Sequence, residues 1–208
     1  MAVGDAAGAA GLKVYDDSLL VADIDTMANQ RGDDIAKVMT RTGVVEKAIL
    51  QTPKFSVSRS SAGFTLNHTE ARIFTGTAWA TPSKRVGGFA WAGGVLTVPR
   101  AGMYMVQATM KLNAEDYYAQ YVMVTRNSED PENANAAICR GVVYPGARGF
   151  NNDANVAPSV TASRLCVSLN ANDKLRVVGY QRNYGGDSQT LDTGATALTF
   201  EVLWVDEQ

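Results

Sequence analysis

Few side chains in this sequence offer chemistry, and they are scattered along the chain. His68, in the segment FTLNHTE, is the only histidine, so a serine or cysteine nucleophile would have a single possible base. No nucleophile elbow, phosphate-binding glycine loop or zinc spacing accompanies it. The sequence therefore predicts a protein that is not an enzyme, and His68 is interpreted as a surface or interface residue.

The other residue types that bind metals or react do not form a site either. Cys139 and Cys166 lack metal-ligand spacing and are interpreted as small buried hydrophobic residues, with a disulfide as the alternative. Two polar runs hold too few oxygen ligands for a calcium loop of the EF type, and turn chemistry accounts for both. These runs are Asp23 with Asp25, and Asn152 with Asp153 and Asn155. We expect neither a metal nor a cofactor.

Charge and hydropathy argue against nucleic-acid and membrane partners. The chain of 208 residues has 19 Lys and Arg against 21 Asp and Glu, a net charge of −2, without a basic cluster that would bind phosphates. No apolar run approaches the roughly 20 residues that span a bilayer. The N-terminus lacks the basic and apolar segments of a signal peptide, so we expect assembly in a cytosol.

The elements that carry these residues change character near residue 53. Residues 1–53 are expected to form an attachment segment and residues 54–208 a single strand-rich domain. The first 17 residues are rich in glycine and alanine, which offer little side chain to bury and predict an extended arm. Residues 18–30 are expected to hold one or two short extended pieces at most.

One short helix is predicted in the segment DDIAKVMTRTG. Asp33 or Asp34 would cap its first turn, and Gly43 would end it. VVEKAILQ, which follows, either extends the helix or forms a linking strand. Arg31-Gly32-Asp33 is interpreted as the turn and cap of this helix rather than as an adhesion motif. The apolar face of the helix holds Ile35, Val38 and Met39.

From Lys54 onward the sequence alternates short apolar runs with loops rich in Asn, Asp, Gly and Pro. The pattern predicts an antiparallel all-β sandwich or jelly roll. A pair of glycines breaks GGFAWAGGVLTV, as in a hairpin. The last run, TFEVLWV, is apolar on both sides, which indicates a second partner beyond one core. Phe200, Val202 and Trp204 lie on one side, and Leu203 and Val205 on the other.

The order of these strands resembles the C1q/tumour-necrosis-factor-like jelly roll over residues 54–205. The hairpin GGVLTVPRAGMYMVQATM stands where that family has glycine-x-phenylalanine-x-x-proline-x-x-glycine-x-tyrosine, with Leu96 at the phenylalanine. SLNANDKLRVVGYQ stands where the family has leucine-x-x-glycine-aspartate, with Asn172 at the glycine before Asp173. The resemblance implies a compact homotrimer about a threefold axis.

Two groups of residues are candidates for the interface between copies. The tyrosines combine a large contact area with a polar hydroxyl, although they suit an ordinary sheet equally well. The apolar residues are those on the second side of the last strand. The candidates for the trimer interface are Tyr117, Tyr118, Tyr121, Leu203 and Val205.

A trimer of this kind without an export signal is similar to virion proteins of tailed bacteriophages, in particular capsid decoration proteins. The trimer would bind the major capsid protein at threefold sites on the outer shell, after assembly in the host cytoplasm, and stabilise the shell. We expect neither a heptad repeat nor a fibrous shaft in this chain, and this favours capsid decoration over a fibre. The candidate attachment residues are apolar side chains of the N-terminal segment: Leu12, Val14, Tyr15, Leu19, Leu20, Ile35, Val38 and Met39.

The alternative is a trimeric tip of a tail or head fibre that binds a receptor. A glycan would then bind at loop tips whose Asn, Asp, Tyr and Arg residues suit sugars, and suit solvated loops equally. These loops are residues 128–137, 145–158 and 183–194. A bacterial C1q-like lectin is a third possibility, against which the absence of a signal peptide counts.

Overall fold

The computed structural model divides the chain into two compact units, Met1–Gln51 and Thr52–Gln208. It describes residues 24–50, 52–113, 117–143, 159–183 and 185–207. Five of the candidate attachment residues lie outside these ranges, namely Leu12, Val14, Tyr15, Leu19 and Leu20.

The first unit contains helix α1, Ile24–Leu50, which is longer than the sequence predicts. The predicted caps and the predicted terminal glycine are all interior, and the chain is already helical at Ile24. Gly32 and Gly43 each cost about 1 kcal/mol relative to alanine in a helix. The Ala, Met, Gln, Arg and Lys residues around them are good helix formers, and the helix therefore continues through both glycines to Leu50.

The second unit consists of short and medium-length strands. Their bounds are β1 Lys54–Ser58, β2 Thr65–Leu66, β3 Arg72–Ile73, β4 Lys84–Val86, β5 Ala90–Ala92, β6 Val95–Thr97, β7 Gly102–Lys111, β8 Tyr117–Arg126, β9 Ala137–Val143, β10 Ser159–Leu169, β11 Lys174–Asn183, β12 Gln189–Thr190 and β13 Leu198–Asp206.

These strands form two antiparallel sheets that enclose one main core. The five-stranded sheet has the order β10-β7-β13-β1-β4, and the six-stranded sheet has the order β5-β6-β11-β8-β9, with β3 also paired to β11. Strands β2 and β12 form a small separate pair. The prediction of an antiparallel jelly-roll sandwich is confirmed.

Aromatic side chains fill the space between the two sheets. The Phe55 ring lies 5.8 Å from Phe200 and 5.0 Å from Trp91, measured between ring centroids. Tyr104 is fully buried, and its hydroxyl donates a hydrogen bond to the Arg100 carbonyl at 2.7 Å. The alternation of β7 buries every second side chain against these rings, as its sequence predicts.

The predicted hairpin over residues 93–113 is wrong, because its two strands belong to different sheets. Strand β6 pairs with β5 and β11, whereas β7 pairs with β10 and β13. The hairpin predicted at the paired glycines of GGFAWAGGVLTV is confirmed, because Gly93 and Gly94 join the paired strands β5 and β6. Both glycines have positive φ, 59° and 88°, which a two-residue turn of type I′ requires. The Pro99–Gly102 corner carries the chain from one sheet to the other.

Candidate assembly face

The outer face of the five-stranded sheet carries apolar side chains at one end. In β7 the residues that alternate with the core residues are half-buried, and Met103 and Met105 are the first of them. Leu203, in the neighbouring strand β13, pairs with Met105 and is also half-buried. Leu203 lies opposite the core side of β13, as predicted, because Phe200 and Val202 on the other side are buried. Val205 is 49% exposed and lies at an irregularity in the pairing of β13 with β7.

Strand β10 extends this apolar surface on the other side of β7. Its pairing with β7 shifts between Arg164 and Val167, which face Val106 and Tyr104. Leu165 and Cys166 are therefore both set against Met105 by this irregularity, and the Leu165 side chain is 70% exposed. We call Leu165, Met105 and Leu203, which cross three adjacent strands, the apolar row.

The other end of the same face is polar. The hydroxyl oxygens of Thr109 and Thr161 lie 3.0 Å apart across β7 and β10. The Ser56 hydroxyl donates to Glu201 at 3.3 Å across β1 and β13. The face thus combines an apolar end with a hydrogen-bonding end, and protein interfaces contain both kinds of surface.

Tyr121 does not belong to this face. It lies in β8 of the six-stranded sheet, where its ring stacks on Tyr180 with 4.7 Å between centroids. The Arg140 guanidinium lies 4.1 Å above the same ring, and burial raises the pKa of the Tyr121 hydroxyl. Tyr117 and Tyr118 belong to the same strand, but their side chains lie outside the described residues. Sequence reasoning missed Met105 and Leu165, although the apolar residues on both sides of β7 could have indicated Met105.

His68 is half-buried and contacts Asn183. Its Nδ1 lies 3.1 Å from the Asn183 side-chain oxygen and accepts a hydrogen bond from the Asn183 backbone N–H at 3.4 Å. Asn183 in turn donates from its side chain to the Asp187 carbonyl at 2.8 Å. These bonds tie His68 to the turn after β11, which is a structural role.

The two cysteines lie in different environments and are not bonded to each other. Cys139 is buried, as predicted, and burial raises the pKa of its thiol to about 11. Cys166 is exposed, so the prediction of burial is wrong for it. The reason is the irregularity in β10, where Cys166 has a positive φ of 57° and leaves the regular alternation.

A cleft of about 550 Å³ opens beside the loop of residues 128–137, one of the loop tips named above. Two arginines line it, and both donate to backbone carbonyls: Arg126 to Ser168 at 3.2 Å and Arg164 to Ile138 at 3.2 Å. Asn127 and Asn135 add amide groups to the lining. The Asn127 amide is already bonded to Asp173 and Lys174, so the arginines and Asn135 are the polar groups that the cleft presents.

Within the described ranges, no group of three His, Cys, Asp or Glu side chains is placed to hold a metal ion. The acidic run Asn152, Asp153 and Asn155 lies outside those ranges, as do Asp23 and the side chain of Asp25. No helix of the described part of the chain has the length and apolar character needed to cross a membrane.

The chain matches no protein-family model and no curated protein. Two crystal structures of murine APRIL, at pH 8.5 and pH 8.0, match at TM-scores of 0.50 and 0.51 with 12% sequence identity, covering 74% of this chain and 98% of APRIL. The structure of Eiger TNF from S. frugiperda matches at a TM-score of 0.51 with 15% identity, covering 76% of this chain and 95% of Eiger. The strand-rich domain has a TNF-like jelly-roll fold. At this level of identity the likeness concerns the fold alone, and the function of the TNF-like domain is inferred from its surfaces.

Proposed function

We propose that the protein is a homotrimeric structural component of a tailed-bacteriophage virion, and that its copies associate through the outer face of the five-stranded sheet. The apolar row carries this proposal. An aliphatic residue that is 70% exposed beside two half-buried ones leaves apolar surface in water. Covering such surface contributes roughly 25 cal/mol per Å².

A threefold arrangement fits the composition of this face. In a closed ring of three, one surface of each copy contacts a different surface of the next copy, and the ring has no free ends. The face of the five-stranded sheet would be one of these two surfaces. The apolar row would form the centre of each contact. The hydroxyls of Thr109 and Thr161 and the carboxylate of Glu201 would form its polar rim.

Capsid decoration is the first placement that we propose for this trimer. The trimer would bind the major capsid protein at threefold sites of the outer shell through residues 1–50. Because these contacts form with the expanded shell only, they stabilise it by mass action. The exposure of three apolar residues on α1 supports an attachment role for the N-terminal segment: Ile35 at 57%, Val38 at 57% and Met39 at 68%.

The tip of a tail or head fibre is the second placement, and helix α1 favours it. A chain without a shaft favours decoration. Helix α1, however, has 27 residues and is about 40 Å long, which is long enough to contribute to a shaft. The cleft beside residues 128–137, with Arg126 and Arg164 in its lining, would then be the site for a polar or anionic receptor glycan.

The mass of the full chain in solution tests the homotrimer. Light scattering should give three times the chain mass of 22.2 kDa. Leu203→Asp, which places a charge in the apolar row, should lower this mass toward that of one chain. Val142→Asp makes the same chemical change at an exposed position of the six-stranded sheet and should leave the trimer intact. A monomeric wild-type chain, or a Leu203→Asp variant that remains fully trimeric, contradicts the proposal.

Immunogold labelling of the parent particles tests the placement. An antibody against residues 54–208 should label the whole shell if the trimer decorates the capsid. Label restricted to the tail or to a few fibre tips would reject decoration and support the second placement.

A further inference from the structure

The bounds of helix α1 revise the expectation that the chain lacks a heptad repeat, because apolar residues recur every seven positions along the full length of the helix. Counting along Ile24–Leu50, positions spaced alternately by four and three residues are mostly apolar. We call these eight positions the seam, and they correspond to positions a and d of a heptad. Its members are Ile24, Ala28, Arg31, Ile35, Val38, Thr42, Val45 and Ile49.

The opposite side of the helix is polar at every turn. Position f, which lies farthest from the seam, is occupied by Thr26, Asp33, Thr40 and Lys47. Ile35 and Val38, in the middle of the seam, are each 57% exposed. An apolar stripe with a period of 3.5 residues is the pattern of a helix that packs along another helix.

We propose that α1 forms a parallel three-stranded coiled coil with α1 of the two other copies, an inference that rests on the homotrimer proposed above. Isoleucine at both a and d favours trimers, and here β-branched valine takes two of the four d positions, with isoleucine and arginine at the other two. Ile35 and Ile49 occupy a, and Val38 and Val45 occupy d. The helices would be parallel because copies related by a threefold axis point the same way along it.

Charge complementarity selects other copies of this chain as partners. Arg41 occupies position g, and Glu46 occupies the following position e. In parallel coiled coils a residue at g faces the next e position of the neighbouring helix, where opposite charges pair. Arg41 of one copy therefore faces Glu46 of the next.

The polar members of the seam fix how the helices align. Arg31 at d and Thr42 at a each cost stability, and such residues specify register. Fewer than four heptads form a weak coiled coil alone. Trimerisation of the jelly roll, however, raises the effective concentration of the helices.

This coiled coil changes the attachment residues. Ile35 and Val38 would be buried between copies, and Met39, at position e beside the seam, would be partly covered. We therefore assign attachment to residues that precede the helix. The candidates there are Leu12, Val14, Tyr15, Leu19 and Leu20.

Disulfide cross-linking of the full chain tests the coiled coil. In a Cys166→Ser background, which removes the exposed native thiol, Val38→Cys places a thiol in the seam and Thr40→Cys places one at position f. Residues that can be bridged have Cα atoms within about 7 Å. After oxidation most Val38→Cys chains should run as covalent pairs on a non-reducing gel, whereas Thr40→Cys chains should run as monomers.

The mass of each variant separates this inference from the proposed function. A trimeric mass with no more pairing in Val38→Cys than in Thr40→Cys overturns the coiled coil and leaves the homotrimer standing. Cross-linked chains with a dimeric mass overturn the three-stranded arrangement. A monomeric mass for the wild-type chain contradicts the homotrimer itself.

Discussion

Asn172 lies in the turn between β10 and β11 with a φ of 69°, a conformation that most L residues avoid. The resemblance to TNF-like domains places a glycine here, and asparagine is one of the few other residues that adopt this conformation readily. The turn is held by Asp173, which accepts hydrogen bonds from the Asn170 backbone N–H at 2.8 Å and from the Asn127 side chain at 2.7 Å. The leucine-x-x-glycine-aspartate pattern therefore requires a left-handed backbone conformation at its fourth position, which asparagine can adopt as well as glycine.

Substitution of Asn172 tests this interpretation. Asn172→Val should lower the free energy of unfolding by about 1–2 kcal/mol, because a β-branched side chain clashes in the left-handed region. Asn172→Gly, the matched control, should leave it nearly unchanged. Urea denaturation of both variants measures the difference, and equal effects of valine and glycine would refute the interpretation.

Gln120 and Gln181 pair across β8 and β11, and substituting each by methionine is predicted to change the free energy of unfolding in opposite directions. Gln120 is fully buried, and neither its side-chain oxygen nor its nitrogen has a hydrogen-bond partner among the described residues. Gln120→Met should therefore raise the free energy of unfolding by about 1–3 kcal/mol, because it removes unsatisfied polar atoms. Gln181 donates to the carbonyls of Leu66 and Asp187. Gln181→Met should therefore lower the free energy of unfolding, because it removes both hydrogen bonds. Thermal unfolding measures both variants, and a loss of stability in Gln120→Met contradicts the prediction.

At the scale of elements, the sequence predicted the strands well and their connections less well. Alternation in β7 and β13 is enforced by burial of one side, and it marks the strands in the sequence directly. The switch from β6 to β7 leaves no such mark, because a corner between two sheets uses the same proline and glycine as a hairpin. The helix was predicted too short because its glycines resemble terminators. Leu165 was missed because an irregularity in pairing is not visible in the alternation of β10.

Substitution of glycine by alanine should therefore have opposite effects on stability in α1 and in the β5–β6 turn. A Cβ atom at Gly43 would meet no atom within 4 Å, so Gly43→Ala should stabilise α1 by about 1 kcal/mol. Gly94 has a positive φ, and its Cβ would run into the Phe74 carbonyl oxygen. Gly94→Ala should therefore destabilise the domain. Circular dichroism at 222 nm during heating reports the helix, and a loss of helix signal in Gly43→Ala would contradict its assignment as an interior position.

At the scale of the whole molecule, the two compact units of each copy are proposed to have separate tasks. The jelly roll would form the trimer through the apolar row, α1 would add a coiled coil, and the residues before α1 would attach the trimer to the virion. Three equivalent attachment segments on one trimer bind with an avidity that a single segment lacks. A weak contact at each segment is therefore sufficient for stable attachment.

Two N-terminal truncations distinguish these tasks. Removal of residues 1–23 should leave the mass trimeric and abolish binding to purified parent shells, because it removes the attachment residues and retains the seam of α1. Removal of residues 1–50 should in addition shift trimer dissociation to a protein concentration at least about tenfold higher. The dissociation constant of a trimer varies with the square of the concentration, so this shift corresponds to a loss of at least about 2.8 kcal/mol per trimer when the coiled coil is removed. Co-sedimentation with shells measures the first effect and light scattering over a dilution series the second. If the chain without residues 1–50 binds shells as tightly as the full chain, the attachment role of the N-terminal segment is wrong. The jelly roll itself must then contact the shell.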